Sequence, residues 1–131
     1  MPSKTRRPSQ VPKKRLDIRK EISRPTMSEA QLVKMCLDYL WYNHIFAYRQ
    51  NSGGLKDGKG SFVWFGTKGA PDIIAVIKGK YIGIECKVGK NKQSPGQEEF
   101  QEKLEQAGGQ YWIIYSLEAL AITLGLYKNP L

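Results

Sequence analysis

Apolar residues recur at helical spacing in the first strongly patterned segment of the chain. From residue 29 onward they fall on one side of a helical projection, as the set Leu32, Val33, Cys36, Leu37, Leu40 and Trp41. Two overlapping patterns that cap helix starts precede this stripe, Thr26-Met-Ser-Glu29 and Ser28-Glu-Ala-Gln31. The sequence therefore predicts a helix that begins at one of these caps and ends near Tyr42.

Further along the chain the apolar residues come in short runs, which are typical of strands. The runs are IFAYRQ (45–50), SFVWF (61–65), DIIAVIK (72–78), YIGIECK (81–87) and QYWIIY (110–115). The segment NSGGLKDGKG predicts a loop between the first two runs. A helix is predicted from about Gln97 to Gln106, closed by Gly108-Gly109, and LEALAITLG predicts a last short helix.

The segment GAPDIIAVIKGKYIGIECKVGK (69–90) reads as a hairpin of two of these strands. A two-residue turn with Gly79-Lys80 at its tip predicts that Asp72 faces Lys87. Because side chains alternate along strands, one face then holds only apolar residues and packs on the core: Ile73, Ala75, Ile77, Ile82, Ile84 and Cys86. The other face collects Asp72, Ile74, Val76, Gly83, Glu85 and Lys87, with Gly83 expected to leave room beside the charged groups.

Two carboxylates so close together repel each other. The repulsion is usually relieved by a raised pKa or by a bound cation, and a hard divalent ion such as Mg²⁺ suits carboxylate oxygens. The alternative is a purely structural Asp72–Lys87 cross-strand pair, which does not explain the presence of Glu85.

The composition limits the function classes. With 131 residues, 40% hydrophobic, the chain has the size and makeup of one globular domain, and no apolar run reaches the ~20 residues of a membrane span. The start of the chain lacks the apolar segment of a secretory signal, so a cytoplasmic location is expected, the host-cell cytoplasm for a viral protein. Cys36, Cys86 and His44 are too few for a zinc site; the cysteines are expected to be reduced and buried, with a disulfide as the alternative.

The net charge of +9 is concentrated at the start of the chain. Residues 1–26 hold nine Lys and Arg against two acidic residues, whereas the remaining 105 residues carry a net charge of only +2. We interpret residues 1–25 as a flexible basic arm and residues 26–131 as the folded domain. The arm favours a nucleic acid partner over a membrane, because no large apolar face accompanies it; the alternative is a solubilising leader.

The segment GGLKDGKG (53–60) comes close to a phosphate-binding loop. That loop requires a Ser or Thr after its lysine and a helix that starts there. Gly60 stands in that position, and a predicted strand follows. A nucleoside triphosphate site is therefore not predicted.

Pro71-Asp72 followed by Glu85-Cys86-Lys87 resembles the PD-(D/E)XK nuclease signature. More narrowly, the chain resembles the virus-type replication-repair nuclease (VRR-NUC) family over residues 27–125. This resemblance also includes the helix with Glu29, the strand that ends in Arg49-Gln-Asn-Ser-Gly53, the Gly69-Ala-Pro-Asp72 turn and Gln97. The resemblance implies an α/β fold with a restriction-endonuclease-like core, a small mixed sheet flanked by helices.

The same resemblance implies a metal-dependent, structure-selective DNA endonuclease. The stand-alone viral (phage) members resemble Holliday-junction resolvases of DNA repair and act as homodimers. Two alternatives remain, a flap or nicking nuclease of viral DNA replication and a non-catalytic DNA-binding protein.

Roles follow from the resemblance for individual residues. Asp72 and Glu85 would hold Mg²⁺, or Mn²⁺ as a substitute, together with the carbonyl of Cys86, and Lys87 would orient the attacking water. Glu29 would be a further acidic ligand, unless it only completes the cap of Thr26. Gln97 would help place the lysine or the water, unless it is a simple first-turn helix residue.

Other side chains are assigned by type. Contacts with DNA phosphates are predicted for Arg49, Asn51, Lys68, Lys90 and Lys92, with solvated surface charge as the alternative for each. Core or dimer contacts, rather than base stacking, are predicted for Trp41, Phe62, Trp64, Trp112 and Tyr115.

Overall fold

A computed structural model describes residues 27–50, 53–56 and 58–130, with only the backbone for 53–55 and 62–65. The predicted basic arm and Asn51 lie outside the described residues. The elements are α1 (Glu29–Tyr42), β1 (Phe46–Arg49), β2 (Gly53–Lys56), β3 (Phe62–Phe65), β4 (Ile73–Ile77), β5 (Lys80–Cys86), α2 (Pro95–Gln106), β6 (Gln110–Ile114) and α3 (Leu117–Lys128). None of the helices in the described part of the chain has both the length and the apolar content that a membrane crossing requires.

Helix α1 buries five of the six residues of the predicted apolar stripe, while Trp41 is exposed, and the helix identifies its cap. Ser28 is the N-cap: its hydroxyl accepts from the Gln31 N–H, and the Gln31 side chain accepts from the Ser28 N–H. Of the two overlapping patterns, the second is therefore the one in use, and Glu29 is the first residue of the helix rather than the completion of Thr26's cap. The predicted capping box of Thr26 and Glu29 is therefore wrong, and Glu29 is an acidic residue of the first turn.

Four strands form a mixed sheet in the order β1-β4-β5-β6. The β1–β4 and β4–β5 pairs are antiparallel, and β5–β6 is parallel. Helices α1 and α3 contribute to the main core on one face of the sheet, where the six predicted inward residues of the hairpin are all buried. Helix α2 lies on the opposite face, because its Leu104 packs against Gly83 of β5. The chain is thus an α/β domain with a four-stranded mixed sheet flanked by three helices.

The hairpin register differs from the predicted one by two residues. Ile77 pairs with Lys80 and Ile73 with Ile84, so the turn residues are Lys78 and Gly79. Both have positive φ, 52° and 78°, as a tight two-residue hairpin turn requires. Continuing this register, Asp72 lies across from Glu85 and not from Lys87. The shift is an even number, so every residue keeps its predicted face.

Three further boundaries differ from the predictions. The predicted loop before SFVWF contains strand β2, which pairs with β3 in a separate two-stranded sheet. Helix α2 begins at Pro95, two residues before Gln97, because Ser94 is its N-cap. Helix α3 continues to Lys128 and is longer than predicted.

The space beside Gly83 is filled rather than open. A Cβ built there would lie 2.7 Å from Cγ of Pro71 and 3.5 Å from Cδ2 of Leu104. Glycine therefore lets Pro71 and α2 close onto the sheet next to Asp72. The prediction that this glycine leaves room beside the charged residues is wrong.

Candidate functional site

Asp72 is fixed by hydrogen bonds to strands on both sides. Its backbone carbonyl accepts from the Gln50 N–H at 2.7 Å, which extends the pairing of β1 with β4. Its Oδ2 accepts from the Cys86 N–H at 2.9 Å. The half-buried carboxylate thus lies at the end of the hairpin beside Glu85.

Glu85 is a buried acid, with only 3% of its surface exposed. Its Oε2 accepts from Nε2 of Gln97 at 2.9 Å and lies 3.4 Å from Nζ of Lys87. Its Oε1 is buried and has no hydrogen-bond partner among the described residues. A buried carboxylate oxygen without a partner is costly, so this atom is a position where a ligand would be stabilising.

Both carboxyl groups are shifted toward their protonated forms. Burial, followed by repulsion from Asp72, raises the pKa of Glu85 to about 7, although Lys87 opposes the shift. Burial also raises the pKa of Asp72, while the hydrogen bond from the Cys86 N–H opposes it. Shifts of this kind in neighbouring acids are characteristic of functional sites, although ion-pair networks also produce them.

Lys87 is 8% exposed and completes the buried group. Its backbone N–H donates to the carbonyl of Ile114 at 3.0 Å, which continues the pairing of β5 with β6 one residue past the strand. The side chain therefore emerges from a fixed backbone, and its ammonium group is the cation nearest to Glu85 in the described residues. Lysine and two carboxylates converge on one face, as predicted.

Gln97 is held by the start of α2 in an orientation that reaches the site. It is the third residue of the helix, and its Oε1 accepts from the Ser94 N–H at 2.9 Å in a capping box. The remaining amide group points its Nε2 at Glu85. The cap and the contact with Glu85 thus use different atoms of one side chain. The first-turn position of Gln97 is confirmed, and its role in placing Lys87 or the water stays a prediction.

Glu29 lies near the two carboxylates without joining them in a close cluster. Its charge raises the pKa of both Asp72 and Glu85. Its Oε2 accepts from Nδ2 of Asn91 at 2.7 Å, and Asn91 in turn accepts a hydrogen bond from the hydroxyl of Tyr115 at its carbonyl. Within the described ranges, no three His, Cys, Asp or Glu side chains group closely enough to hold a metal ion. The role of Glu29 as a metal ligand stays a prediction.

Cys36 and Cys86 are free, fully buried thiols that form a side-chain hydrogen bond with each other. That bond, rather than burial, is the main cause that raises the pKa of Cys86 and lowers that of Cys36. The expectation of reduced, buried cysteines is confirmed. The Cys86 side chain points into the core, so only its backbone is available to the carboxylate side of the sheet.

The predicted DNA contacts surround the site unequally. Arg49 is exposed at the end of β1, and its charge partly offsets the burial that raises the pKa of Asp72. Lys68 is exposed beside the start of α2, and Lys90 and Lys92 are exposed in the loop between β5 and α2. Asn51 lies outside the described residues. For all of these residues DNA contact stays a prediction.

Two residues at the site were missed by the sequence reasoning. Asn91 meets Glu29 across 62 positions of chain, and no local pattern marks such a contact. Tyr111 of β6 lies beside Gly83, and burial, with repulsion from Glu85, raises the pKa of its hydroxyl. That hydroxyl is buried near Gln93 without a hydrogen bond of good geometry to any described residue. Alternation along QYWIIY would have indicated the face of the sheet on which Tyr111 lies. Its neighbours follow only from the parallel pairing of β5 with β6.

The predicted aromatic roles are only partly tested. Trp112 is buried in the core, as predicted, whereas Trp41 and Tyr115 are exposed. The side chains of Phe62 and Trp64 lie outside the described part of the structure.

Comparison with known proteins finds no family model and no curated protein that matches this sequence. The likeness to virus-type replication-repair nucleases therefore rests on the residues quoted above. The chemistry of the site has to be argued from its geometry.

A divalent cation fits the donors present at the site. Mg²⁺ is commonly bound through one or two carboxylates while it keeps several waters, so Asp72 and Glu85 suffice without a third acidic side chain. The partnerless Oε1 of Glu85 is a suitable donor. A bound cation would also relieve the repulsion that raises the pKa of Glu85. The carbonyl of Cys86 as a further donor stays a prediction.

Proposed function

We propose that this protein is a Mg²⁺-dependent DNA endonuclease that hydrolyses phosphodiester bonds, with a PD-(D/E)XK core. The observation that carries the proposal is the buried Glu85. One of its oxygens is held by Gln97 and Lys87, and the other has no partner in the described part of the chain. A merely structural ion pair would satisfy Glu85 from both sides. An acid that is kept buried beside Asp72 is instead suited to a ligand of opposite charge.

Each residue of the site has a task in this proposal. Asp72 and Glu85 would hold the cation, which supplies electrophilic activation of the phosphoryl group and a more acidic water. Lys87, fixed at the end of β5, would stabilise the negative charge that grows on the phosphate and orient the attacking water. Gln97 would keep Glu85 in the orientation that binds the cation.

DNA as the substrate is supported by the charge of the chain. The net charge of +9 suits a polyanion. Arg49, Lys68, Lys90 and Lys92 are exposed, and the charge of Arg49 acts on Asp72. The resemblance to virus-type nucleases supports branched DNA, in particular four-way junctions, and a homodimer. Two-fold pairing would place two such sites against opposite strands.

The proposal is tested by incubating the protein with labelled DNA of several shapes. We expect four-way junctions to be cut with Mg²⁺ and left intact with EDTA, and Asp72→Ala to bind junctions without cutting them. Full activity of Asp72→Ala would overturn the assignment. Preferential cutting of flaps or nicked duplexes would favour the replication-nuclease alternative, and salt-sensitive binding without any product would favour a DNA-binding protein.

A further inference from the structure

Two aromatic side chains are exposed on the same face of the sheet as the carboxylates. Phe46 is 67% exposed and Tyr48 is 46% exposed, and their rings meet edge to face at a centroid distance of 6.1 Å. Phe46 pairs with Val76 and Tyr48 with Ile74, and the side chains of Ile74 and Val76 share the face of Asp72. The aromatic pair is thus part of the surface that contains the candidate active site.

Helix α2 covers only the other half of this face. Its Leu104 packs against Gly83 and Gly109, and its Phe100 meets Tyr111 at a centroid distance of 6.3 Å, so the helix lies over β5 and β6. On β1 and β4, the side chains of Phe46, Tyr48 and Val76 are exposed, whereas Ile74 between them is buried. Apolar surface that is open to solvent beside a catalytic site indicates a binding surface.

Tyr48 lies near Asp72 on this face. Asp72 is two residues from Ile74, the partner of Tyr48, so it lies about 7 Å along the strand and about 5 Å across, and the two Cα atoms are about 9 Å apart. A phosphate at Asp72 would therefore have its neighbouring nucleotide above Tyr48 and Phe46.

The charge around the aromatic pair suits a nucleic acid strand. Arg49 follows Tyr48 directly, and Lys78 and Lys80 are exposed at the hairpin turn next to Val76. Residues 43–71 contain four Lys and Arg and a single acidic residue. Exposed aromatic rings in a basic surface are the usual means of binding unpaired bases, since every base offers a flat face for stacking.

We propose that Phe46 and Tyr48 form a stacking platform for an unpaired base next to the phosphate that is cut. This inference rests on the proposed nuclease function and narrows its substrate class. Bases inside a duplex are stacked on their neighbours and have no free face, so the platform selects DNA with an unpaired nucleotide at the cleavage position, such as a branch point, gap or flap.

The test measures base stacking without cleavage. The DNA is a gapped duplex, or a junction with one unpaired nucleotide at its branch point, and the unpaired base is 2-aminopurine. It is titrated with wild-type protein in EDTA, and we expect the probe fluorescence to change as the base stacks on the platform. Tyr48→Ala should weaken binding of this DNA by about fivefold or more and reduce the fluorescence change. Tyr48→Trp should retain both.

Tyr42→Ala is the matched control, because Tyr42 is 83% exposed but ends α1 on the other side of the sheet. It should bind like the wild type. Thermal melting of each variant verifies that the fold is retained. Tyr48→Phe removes only the hydroxyl and is melted alongside them.

Two outcomes would overturn the platform. Wild-type affinity and an unchanged probe signal in both Tyr48→Ala and Phe46→Ala would show that the pair does not contact a base. A change of oligomeric state in Tyr48→Ala, measured by light scattering, would instead identify the surface as a contact between two copies of the chain. Because the titration needs no Mg²⁺, it tests base binding separately from cleavage. Stacking in EDTA, combined with no product when Mg²⁺ is added in a separate incubation, would contradict the nuclease proposal and leave base binding by Phe46 and Tyr48 standing.

Discussion

Nε2 of Gln97 donates a 2.9 Å hydrogen bond to Oε2 of Glu85, while Oε1 of the same glutamine accepts from the Ser94 N–H. One side chain thus starts helix α2 and holds a carboxylate of the candidate active site. Since the two functions use different atoms, they can be separated by a single substitution.

Gln97→Glu keeps an acceptor for the Ser94 N–H but replaces the donor to Glu85 with a negative oxygen. Glutamate is a normal residue at this capping position, so α2 should stay intact. Repulsion would raise the pKa of Glu85 further, and we expect cleavage at pH 7 to fall about 10- to 100-fold and to recover in part at higher pH. A pH profile of the cleavage rate measures both effects.

Gln101→Glu is the control, because Gln101 lies one turn further along α2 and bonds to Gln93 and Glu105. Its cleavage profile should match the wild type. An unchanged rate for Gln97→Glu at pH 7 would mean that the bond to Glu85 has no part in the reaction.

Lys87→Met removes the ammonium group and keeps an apolar stem of similar length. If Lys87 stabilises charge on the phosphate, the cleavage rate should fall by about 100-fold or more. Binding of DNA should change little, because the side chain is almost fully buried. Single-turnover cleavage and a binding titration in EDTA measure the two quantities. Lys34→Met is the control, since Lys34 is exposed and pairs with Asp38 on the same helix. Equal losses of binding and cleavage would contradict this role.

The convergence of Asp72, Glu85 and Lys87 was predictable because alternation along a strand depends only on parity. The hairpin register was two residues off, since the sequence allows a turn at Gly79-Lys80 as readily as at Lys78-Gly79. The observed turn puts Gly79 in the second position and brings Asp72 to the Cys86 N–H. A register error of one residue would have placed Asp72 on the opposite face of the sheet from Glu85 and Lys87, and the site would not have been predicted.

Contacts between distant parts of the chain could not be predicted. The bond between Glu29 and Asn91 and the position of Tyr111 depend on how α1 and β6 dock on the hairpin. Strand β2 was missed because its sequence, GGLK, carries two glycines and no alternation. The strand is defined by its pairing with β3, which local propensity does not predict.

Gly69 is required where the turn before Asp72 meets the start of α2. It has φ +81°, and a Cβ there would collide with the backbone carbonyl of Gly96. Gly69→Ala should therefore move the start of α2, destabilise the protein by more than about 2 kcal/mol and lower activity through Gln97.

Gly60→Ala is the matched control: its φ is +86°, but nothing lies within 4 Å of the added Cβ. It should cost only about 1 kcal/mol. If urea denaturation shows the same decrease in the free energy of unfolding for Gly69→Ala and Gly60→Ala, the contact with Gly96 does not contribute to stability.

The raised pKa of Glu85 predicts a stability that falls as the pH rises. Its carboxyl has a pKa of about 7 in the folded protein against 4.5 unperturbed, so both folded and unfolded states are protonated below pH 4.5. Above that pH the unfolded state ionises first, and the folded state loses stability until the pH passes 7. Between pH 4.5 and 8 the loss should be on the order of 1–3 kcal/mol without metal.

Urea denaturation in EDTA at several pH values, for the wild type and for Glu85→Gln, measures this loss. The variant cannot ionise at residue 85, so its stability relative to the wild type should increase from pH 5 to pH 8. The exposed Glu102, changed to Gln, is the control and should show no such increase. If Mg²⁺ binds at Glu85, adding it at pH 8 should stabilise the wild type and leave Glu85→Gln much less affected. A difference between the wild type and Glu85→Gln that stays constant with pH would mean that Glu85 is ionised without cost, and the argument for a cation at its free oxygen would fail.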